Sequence, residues 1–424
     1  VLAQETVDTP RRRTVVAAAL PVLVVAILLA GCSGHPAEPT NVVFIVVDTL
    51  RADHLGCYGY TRPTTPNLDR LARQATVFER AYSHSPWTMP SVASMFTSLP
   101  PRDHGIVSWE QRLPLAHLTL AEHLRTHGFR TAGIVSHVIL RPEYNFDQGF
   151  EYYEDAVLEE GNPVDISSSA EVSDAAISWL HEEARAPFFL WLHYFDPHAR
   201  YLQHPFPAYG SRPVDRYDSE IRHVDEQLGR VLDALRALEL WDDTVIVFVA
   251  DHGEEFRDHG GTEHSTTLYD ELVRIPLIVH VPGFAPQRVE SVVSESDIAP
   301  TLCRLLDLPV PTRFGGRSLA FDETSFRVEQ DRTVFMETLR KADKRGVRYG
   351  RWKLIHDRET GKRMLFDLEE DPSERRNVIE EHPAVAESLE RAIAEHYARE
   401  RTPVEERALP DRLREQLEAL GYLQ

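Results

Sequence analysis

The chain has 424 residues, 42% of them hydrophobic, which is enough for a sizeable core and argues against global disorder. At roughly 100–200 residues per domain there is room for two or three domains, or for one large α/β domain with an appendage. The 46 basic and 67 acidic residues leave a net charge of −21, which argues against nucleic acid as a partner. The only four lysines (Lys341, Lys344, Lys353 and Lys362) exclude an active-site lysine from the first 340 residues.

The N-terminal segment carries Arg11, Arg12 and Arg13, then an apolar run over residues 14–30, then Leu29-Ala30-Gly31-Cys32. A basic flank, a short apolar run and small residues before a cut describe a secretory signal peptide. The LAGC tetrapeptide resembles a bacterial lipobox, which would make Cys32 the lipidated first residue of the mature protein. An uncleaved anchor is the alternative, but the run is short for a bilayer span and contains Pro21. The expectation is an exported lipoprotein, membrane-anchored at Cys32 and facing the periplasm or the cell surface. Its signal peptide covers residues 1–32 and a Pro-rich tether covers 33–40. Cys57 and Cys303 are then the remaining cysteines, too few for a disulfide framework or a cysteine zinc site.

From residue 41 the pattern changes. NVVFIVVD (41–48), FFLWLHYFD (188–196) and TVIVFVAD (244–251) are continuous apolar runs that end in acids, as strands buried on both faces of a parallel sheet do. Helical patterns alternate with them. TTPNLDRLARQA has Thr65 as a capping residue and Pro66 in its first turn, LTLAEHLRTHGF stops at Gly128, and residues 170–183 and 216–238 follow. This alternation predicts an α/β fold, a mainly parallel central sheet flanked by helices, with ligands gathered at the C-terminal ends of the strands. Beyond residue 321, the segments TVFMETL, GVRYG, RWKLIHD and MLFDLEEDP predict a small antiparallel sheet over 322–379. Residues 380–424 read as terminal helices, which leaves 41–321 as the main α/β domain. Nucleotide-binding glycine loops are absent.

Each candidate residue has an ordinary alternative. Asp48 could be a solvated strand-end acid or a helix cap. The pair Asp251-His252 at a strand edge combines a carboxylate with an imidazole, compatible ligands for one metal. Thr88, in SPWTMPSVASMFTSLPP, stands just before an amphipathic helix start. It reads either as a helix cap or as a hydroxyl nucleophile at a helix N-terminus, where unpaired N–H groups and the dipole favour an alkoxide. His198 and His264 lie in loop-like sequence, among 20 histidines in all.

Taken together, these segments resemble the sulfatase family of the alkaline-phosphatase-like superfamily. NVVFIVVDTLRADHLGCYGYTRPTTPNLDRLA looks like the family's opening. WTMPSVASMFTSLPPRDHGI, FFLWLHYFDPHARY, VFVADHGEEFRDHG, STTLYDELVRIPLIV, SDIAPTL and RYGRWKLI follow in its order, from about Asn41 to Asn377. The departures are informative. Thr88 occupies the place of the Cys or Ser that the family oxidises to formylglycine, and a secondary alcohol cannot give that aldehyde, so no formylglycine is expected. Val92 replaces the motif's Arg, and Thr49 the second opening acid. A family lysine is lost near Ser136 and His137, and another falls at His264.

The resemblance implies one divalent metal ion held by Asp48, Asp251, His252 and the Thr88 oxygen, Mn²⁺ or Zn²⁺ being favoured over Ca²⁺ or Mg²⁺. It implies Thr88 as nucleophile, His198 as anion contact, and His264 as the group that stabilises or protonates the leaving oxygen. The expected activity is hydrolysis of anionic esters of the sulfate or phosphate class, in a small molecule, lipid head group or glycan. A threonine nucleophile, known among relatives acting on phosphodiesters and phosphonates, pulls it toward phosphorus. The alternatives are a sulfuric ester hydrolase proper, a transferase of phospho-head groups, and a non-catalytic lipoprotein that binds anionic polymers. Oligomeric state is not legible.

Overall fold

The computed structural model describes residues 40–155, 167–206, 209–328, 331–404 and 411–419, with isolated positions 1, 4 and 406. Cys32, most of the signal segment and the tether as far as residue 39 lie outside the described residues. From Glu38 onward the chain forms one compact unit.

The strands are β1 (Asn41–Val47), β2 (Thr76–Tyr82), β3 (Arg130–Val135), β4 (Tyr152–Glu154), β5 (Phe188–Tyr194), β6 (Thr244–Ala250), β7 (Glu255–Phe256), β8 (Thr262–Glu263), β9 (Arg274–His280), β10 (Gln287–Val289) and β11 (Val293–Ser294). Nine of them form the main sheet, ordered β10-β2-β9-β6-β1-β5-β3-β4 with β11 also on β2. β1 lies at the centre, where Val42 pairs in parallel with Phe189 on one side and with Val245 on the other. β1, β5 and β6 are buried along their whole length, which is why their sequences are apolar throughout. β9 alone runs against its neighbours β2 and β6.

The helices, leaving aside single turns, are α1 (Pro66–Ala72), α2 (Thr88–Thr97), α3 (Leu120–Thr126), α4 (Ser169–Glu182), α5 (Pro213–Ala237), α6 (Ile298–Leu305), α7 (Pro383–His396) and α8 (Asp411–Ala419). Thr65 does precede α1, but its hydroxyl caps nothing there. It accepts from Gly56 N at 2.9 Å and meets Asp69 at 3.2 Å. The cap comes instead from Asp225 on α5, whose carboxylate accepts from Asn67 N and Leu68 N at 3.0 and 2.8 Å. An ionisable oxygen from a neighbouring helix serves the orphan N–H groups better than the local hydroxyl. Asp196, the acid after β5, is likewise used structurally. Its Oδ2 accepts from the backbone of Ser168 and Ser169 at 3.1 and 3.0 Å and from Ser167 Oγ at 2.8 Å, so it anchors the start of α4.

The small antiparallel sheet comprises β12 (Val334–Thr338), β13 (Lys344–Tyr349), β14 (Trp352–Asp357) and β15 (Arg363–Asp367), paired in that order. One face packs Val334, Met336, Ile355 and Phe366 onto Tyr82, Leu272, Val273 and Val292 of the main body. The other packs Val347, Leu354 and Leu365 under Ala386, Leu389 and Ile393 of α7. A buried ion cluster reinforces the joint. Lys353 Nζ lies 2.7 Å from Asp270 Oδ1 and 3.0 Å from Glu374 Oε1, and Tyr82 Oη donates to Asp270 at 3.0 Å. Burial works against the Lys353 charge, but the two carboxylates hold its pKa above the usual lysine value.

Candidate active site

The C-terminal ends of β1 and β6, neighbours in the sheet, deliver Asp48 and Asp251-His252 to one edge. Ligand atoms of Asp48, Asp251 and His252 lie within 4.8 Å of one another, and all three residues are fully buried. His252 Nε2 is 3.5 Å from Asp48 Oδ1 and 3.6 Å from Asp251 Oδ2. Its Nδ1 faces Gly253 O at 2.9 Å, so that nitrogen carries the proton and the Nε2 lone pair points at the carboxylates. Asp251 Oδ1 accepts from Thr49 N at 3.1 Å and His252 N at 2.8 Å, whereas its Oδ2 is buried with no hydrogen-bond partner. Thr49 pays for this with a left-handed backbone, φ 53°, costly for a β-branched residue by about 1–3 kcal/mol.

The electrostatics are those of a cation site. Burial raises the Asp48 carboxyl well above the usual range, and Asp251 and Glu254 push it further. Burial also raises Asp251. The surrounding imidazoles are held neutral: burial lowers His252, His198 and His193 to about 3, and His137 and His264 well below 6.5. Two buried carboxylates, a presented imidazole lone pair and an orphaned carboxylate oxygen fit a divalent metal ion, whose charge would offset the desolvation and mutual repulsion of the acids.

Thr88 is the first residue of α2, not the residue before it, and Trp87 is the cap position. The helix can start there because Pro90 falls in the first turn, where a missing N–H breaks no helical bond. Thr88 Oγ1 lies 3.3 Å from Asp48 Oδ2 and 3.3 Å from His252 Nε2. One turn on, Ser91 Oγ donates to Asp251 O at 2.7 Å and meets the buried Glu295 Oε2 at 2.6 Å, which pins α2 to the loop after β6. Val92, at the motif's arginine position, is wholly buried in the core.

His198 and His264 both reach this edge. Their ring centroids are 5.0 Å apart, and His264 lies 4.7 Å from His252. His198 Nδ1 faces Ala199 O at 2.8 Å, and His264 Nδ1 faces Glu254 Oε1 at 3.1 Å, so the second nitrogen of each ring is turned away from its anchor. All of the sequence-predicted site residues except Cys32 are therefore neighbours. Residues that sequence reasoning missed also surround Asp48. His137 Nε2, from the loop after β3, is 3.6 Å away. His193 Nε2, on β5, is 4.0 Å away, and neither of its ring nitrogens has a hydrogen-bond partner. Glu254, pushed up to about 8 by burial, orients His264. The Asp-His signal at 251–252 continues two residues to Glu254 and could have pointed to it. A histidine inside an apolar strand, such as His193, carries no signal.

Comparisons with known proteins bear on the family. A family profile described as Sulfatase matches residues 40–308, and one described as N-sulphoglucosamine sulphohydrolase, C-terminal, matches residues 261–400. An N-acetylgalactosamine-6-O-sulfatase of Bacteroides thetaiotaomicron is 24% identical, covering 87% of this chain and 97% of its own. An arylsulfatase K of Canis lupus familiaris is 26% identical, covering 85% and 82%. The solved structure of a phosphonate monoester hydrolase of Agrobacterium radiobacter superposes with a TM-score of 0.74 at 21% identity, over 85% of this chain and 95% of that one. With the profile spanning most of the chain and the sheet, small C-terminal sheet and metal-competent edge all in place, the chain belongs to the sulfatase family of hydrolases.

Proposed function

We propose that this sulfatase-family hydrolase cleaves phosphorus esters (diesters, monoesters or phosphonates) through a covalent Thr88 intermediate. The observation that carries the reading is Thr88 Oγ1 at 3.3 Å from both Asp48 Oδ2 and His252 Nε2, at the first position of a buried helix. A divalent ion held by Asp48, Asp251 and His252, with the Thr88 oxygen completing the set, would supply the charge that ionises the hydroxyl and neutralises the transferring group. The mixed carboxylate and imidazole donors favour Mn²⁺ or Zn²⁺.

Thr88 Oγ1 releases its proton to water and bonds to phosphorus as the bond to the ester oxygen opposite it breaks. The α2 N-terminus, with its unpaired N–H groups, favours the negative oxygen. His198 contacts the anion. Glu254, kept protonated at neutral pH because burial pushes it up to about 8, donates to His264 Nδ1, so His264 presents an Nε2–H; it passes that proton to the leaving oxygen and takes the Glu254 proton in its place. Water then cleaves the threonine–phosphorus ester and restores the hydroxyl. A sulfated threonine has no such easy exit, because an ordinary alcohol offers no second hydroxyl to expel sulfate. Threonine therefore favours phosphorus, although relatives of this chain are named sulfatases. The protein acts on an anionic ester of a small molecule, lipid head group or glycan, from a membrane anchored through lipid on Cys32.

The test is a pair of aryl substrates, a phosphodiester and a sulfate ester of one phenol, assayed with the Mn²⁺- and Zn²⁺-loaded protein. The phosphodiester should have the higher kcat/KM, and acid-quenched protein should carry the phosphoryl group on the peptide containing Thr88. Faster turnover of the sulfate ester with Thr88 chemically unmodified would refute the reading.

A further inference from the structure

The active-site edge lacks the family's Arg at Val92 and its Lys at His264, and its imidazoles are neutral. A guanidinium nevertheless reaches it from the small sheet. Arg340 follows β12 and is half-buried. Its Nη1 donates to Ser265 Oγ at 2.8 Å, directly beside His264. Its guanidinium carbon stands 3.6 Å from the ring centroid of Trp109 and 5.5 Å from that of Trp87, the residue before Thr88. The two indoles meet edge to face at 4.8 Å. Thr338 Oγ1 donates to Ser265 O at 2.7 Å, and Ser265 N donates to Pro86 O at 3.0 Å, so the end of β12 that precedes Arg340, the His264 loop and the Thr88 loop are stitched together. Burial is the main cause of the low values at His137, His198, His252 and His264; the Arg340 charge adds to it at all four, and Lys341 at His198 and His264. A guanidinium laid on an indole shelf is a preorganised fork for a carboxylate or phosphate. Its hydrogen bond to the residue after His264 sets that fork beside the group assigned to the leaving oxygen.

We propose that Arg340 is a specificity-determining residue that recognises a second negative charge, on the leaving alcohol of the substrate, so that the preferred substrates are esters whose alcohol portion is itself anionic. The proposal rests on the hydrolase reading above for its substrates, and on geometry alone for its binding site. On a molecule of net charge −21, a local cation offsets the repulsion that a doubly anionic ester meets.

The experiment has a kinetic arm and a binding arm. The kinetic arm compares two aryl phosphodiesters with leaving phenols of matched acidity, one bearing a carboxylate and one a neutral amide. Wild type should prefer the carboxylate by about tenfold or more in kcat/KM, expressed mainly in KM. Arg340→Ala should erase that preference, and Arg340→Lys should restore part of it. The binding arm measures 4-hydroxybenzoate and 4-hydroxybenzamide calorimetrically, with no turnover. Arg340→Ala should weaken the first about tenfold and leave the second unchanged. Equal losses on both probes, no change on either, or no binding of 4-hydroxybenzoate to wild type would overturn the proposal. If neither diester is hydrolysed, the hydrolase reading fails, and the binding arm still decides the role of Arg340.

Discussion

His84 bridges the two sheets, and its titration should be readable as stability. Its Nδ1 donates to Phe335 O at 2.6 Å, on β12, and its Nε2 accepts from Ser294 Oγ at 2.7 Å, on β11. Burial lowers its pKa from 6.5 to about 4, outweighing the Phe335 carbonyl, which acts the other way. As pH falls below 6.5 the unfolded chain takes up the proton first, so the contribution of this residue is complete above 6.5 and is lost down to about 4. For these two values the loss at about pH 4.5 is about 2.5 kcal/mol. His84→Gln keeps a donor and an acceptor but cannot titrate. The difference in unfolding free energy between wild type and His84→Gln should therefore shrink by about 2.5 kcal/mol between about pH 7.5 and 4.5, measured by urea denaturation. Other buried groups titrate in both proteins and cancel. Parallel pH curves for the two proteins would refute the assignment of a neutral, buried His84.

Three further outcomes are expected. Asp251→Asn retains the acceptor used by Thr49 and His252 while removing a charge beside Asp48. The metal-free variant should melt at a higher temperature than the metal-free wild type yet gain nothing from added Mn²⁺ or Zn²⁺, by calorimetry and elemental analysis. Thr88→Ala should lose on the order of 10⁴-fold or more in kcat, with Thr88→Ser recovering a substantial part, by steady-state assay; undiminished activity in the alanine variant would exclude a threonine nucleophile. Membrane-fraction mass spectrometry should show a diacylated N-terminal Cys32, since one acyl chain anchors only marginally, and an unlipidated soluble product would contradict the lipobox.

What could be read from the chain was whatever produces a local pattern. β1, β5 and β6 show themselves because burial on both faces makes every residue apolar. β2 carries Glu79 and Arg80 within its span, and β3 contains Gly133, where a side chain would strike the Tyr153 ring at 2.9 Å; neither has a clean period. The antiparallel course of β9 is a choice of partners and leaves no trace in its own residues. At the site, Asp48, Thr88 and the 251–252 pair announce themselves by ending strands or opening a helix. The role proposed for Arg340 leaves no such mark, because the residue follows β12 of the small sheet, far along the chain from these segments. Asp196 looked like the other strand-end acids and is spent on α4, which shows that a strand-edge position nominates an acid without assigning it.

The joint between the small sheet and the main body also fixes how the protein meets reagents. Amine acylation needs an accessible, neutral nitrogen. Lys341 and Lys362 are exposed and Lys344 is half-buried, but Lys353 is sealed and held charged between Asp270 and Glu374. Acylation of Lys353 therefore requires the sheet to lift away from Asp270, and its rate counts those excursions. Because every lysine lies on or beside the small sheet, lysine-directed coupling to a solid support holds the molecule by that end. Attachment through Lys341, whose Nζ pairs with Glu263 at 3.4 Å, sets the support beside the His264 loop.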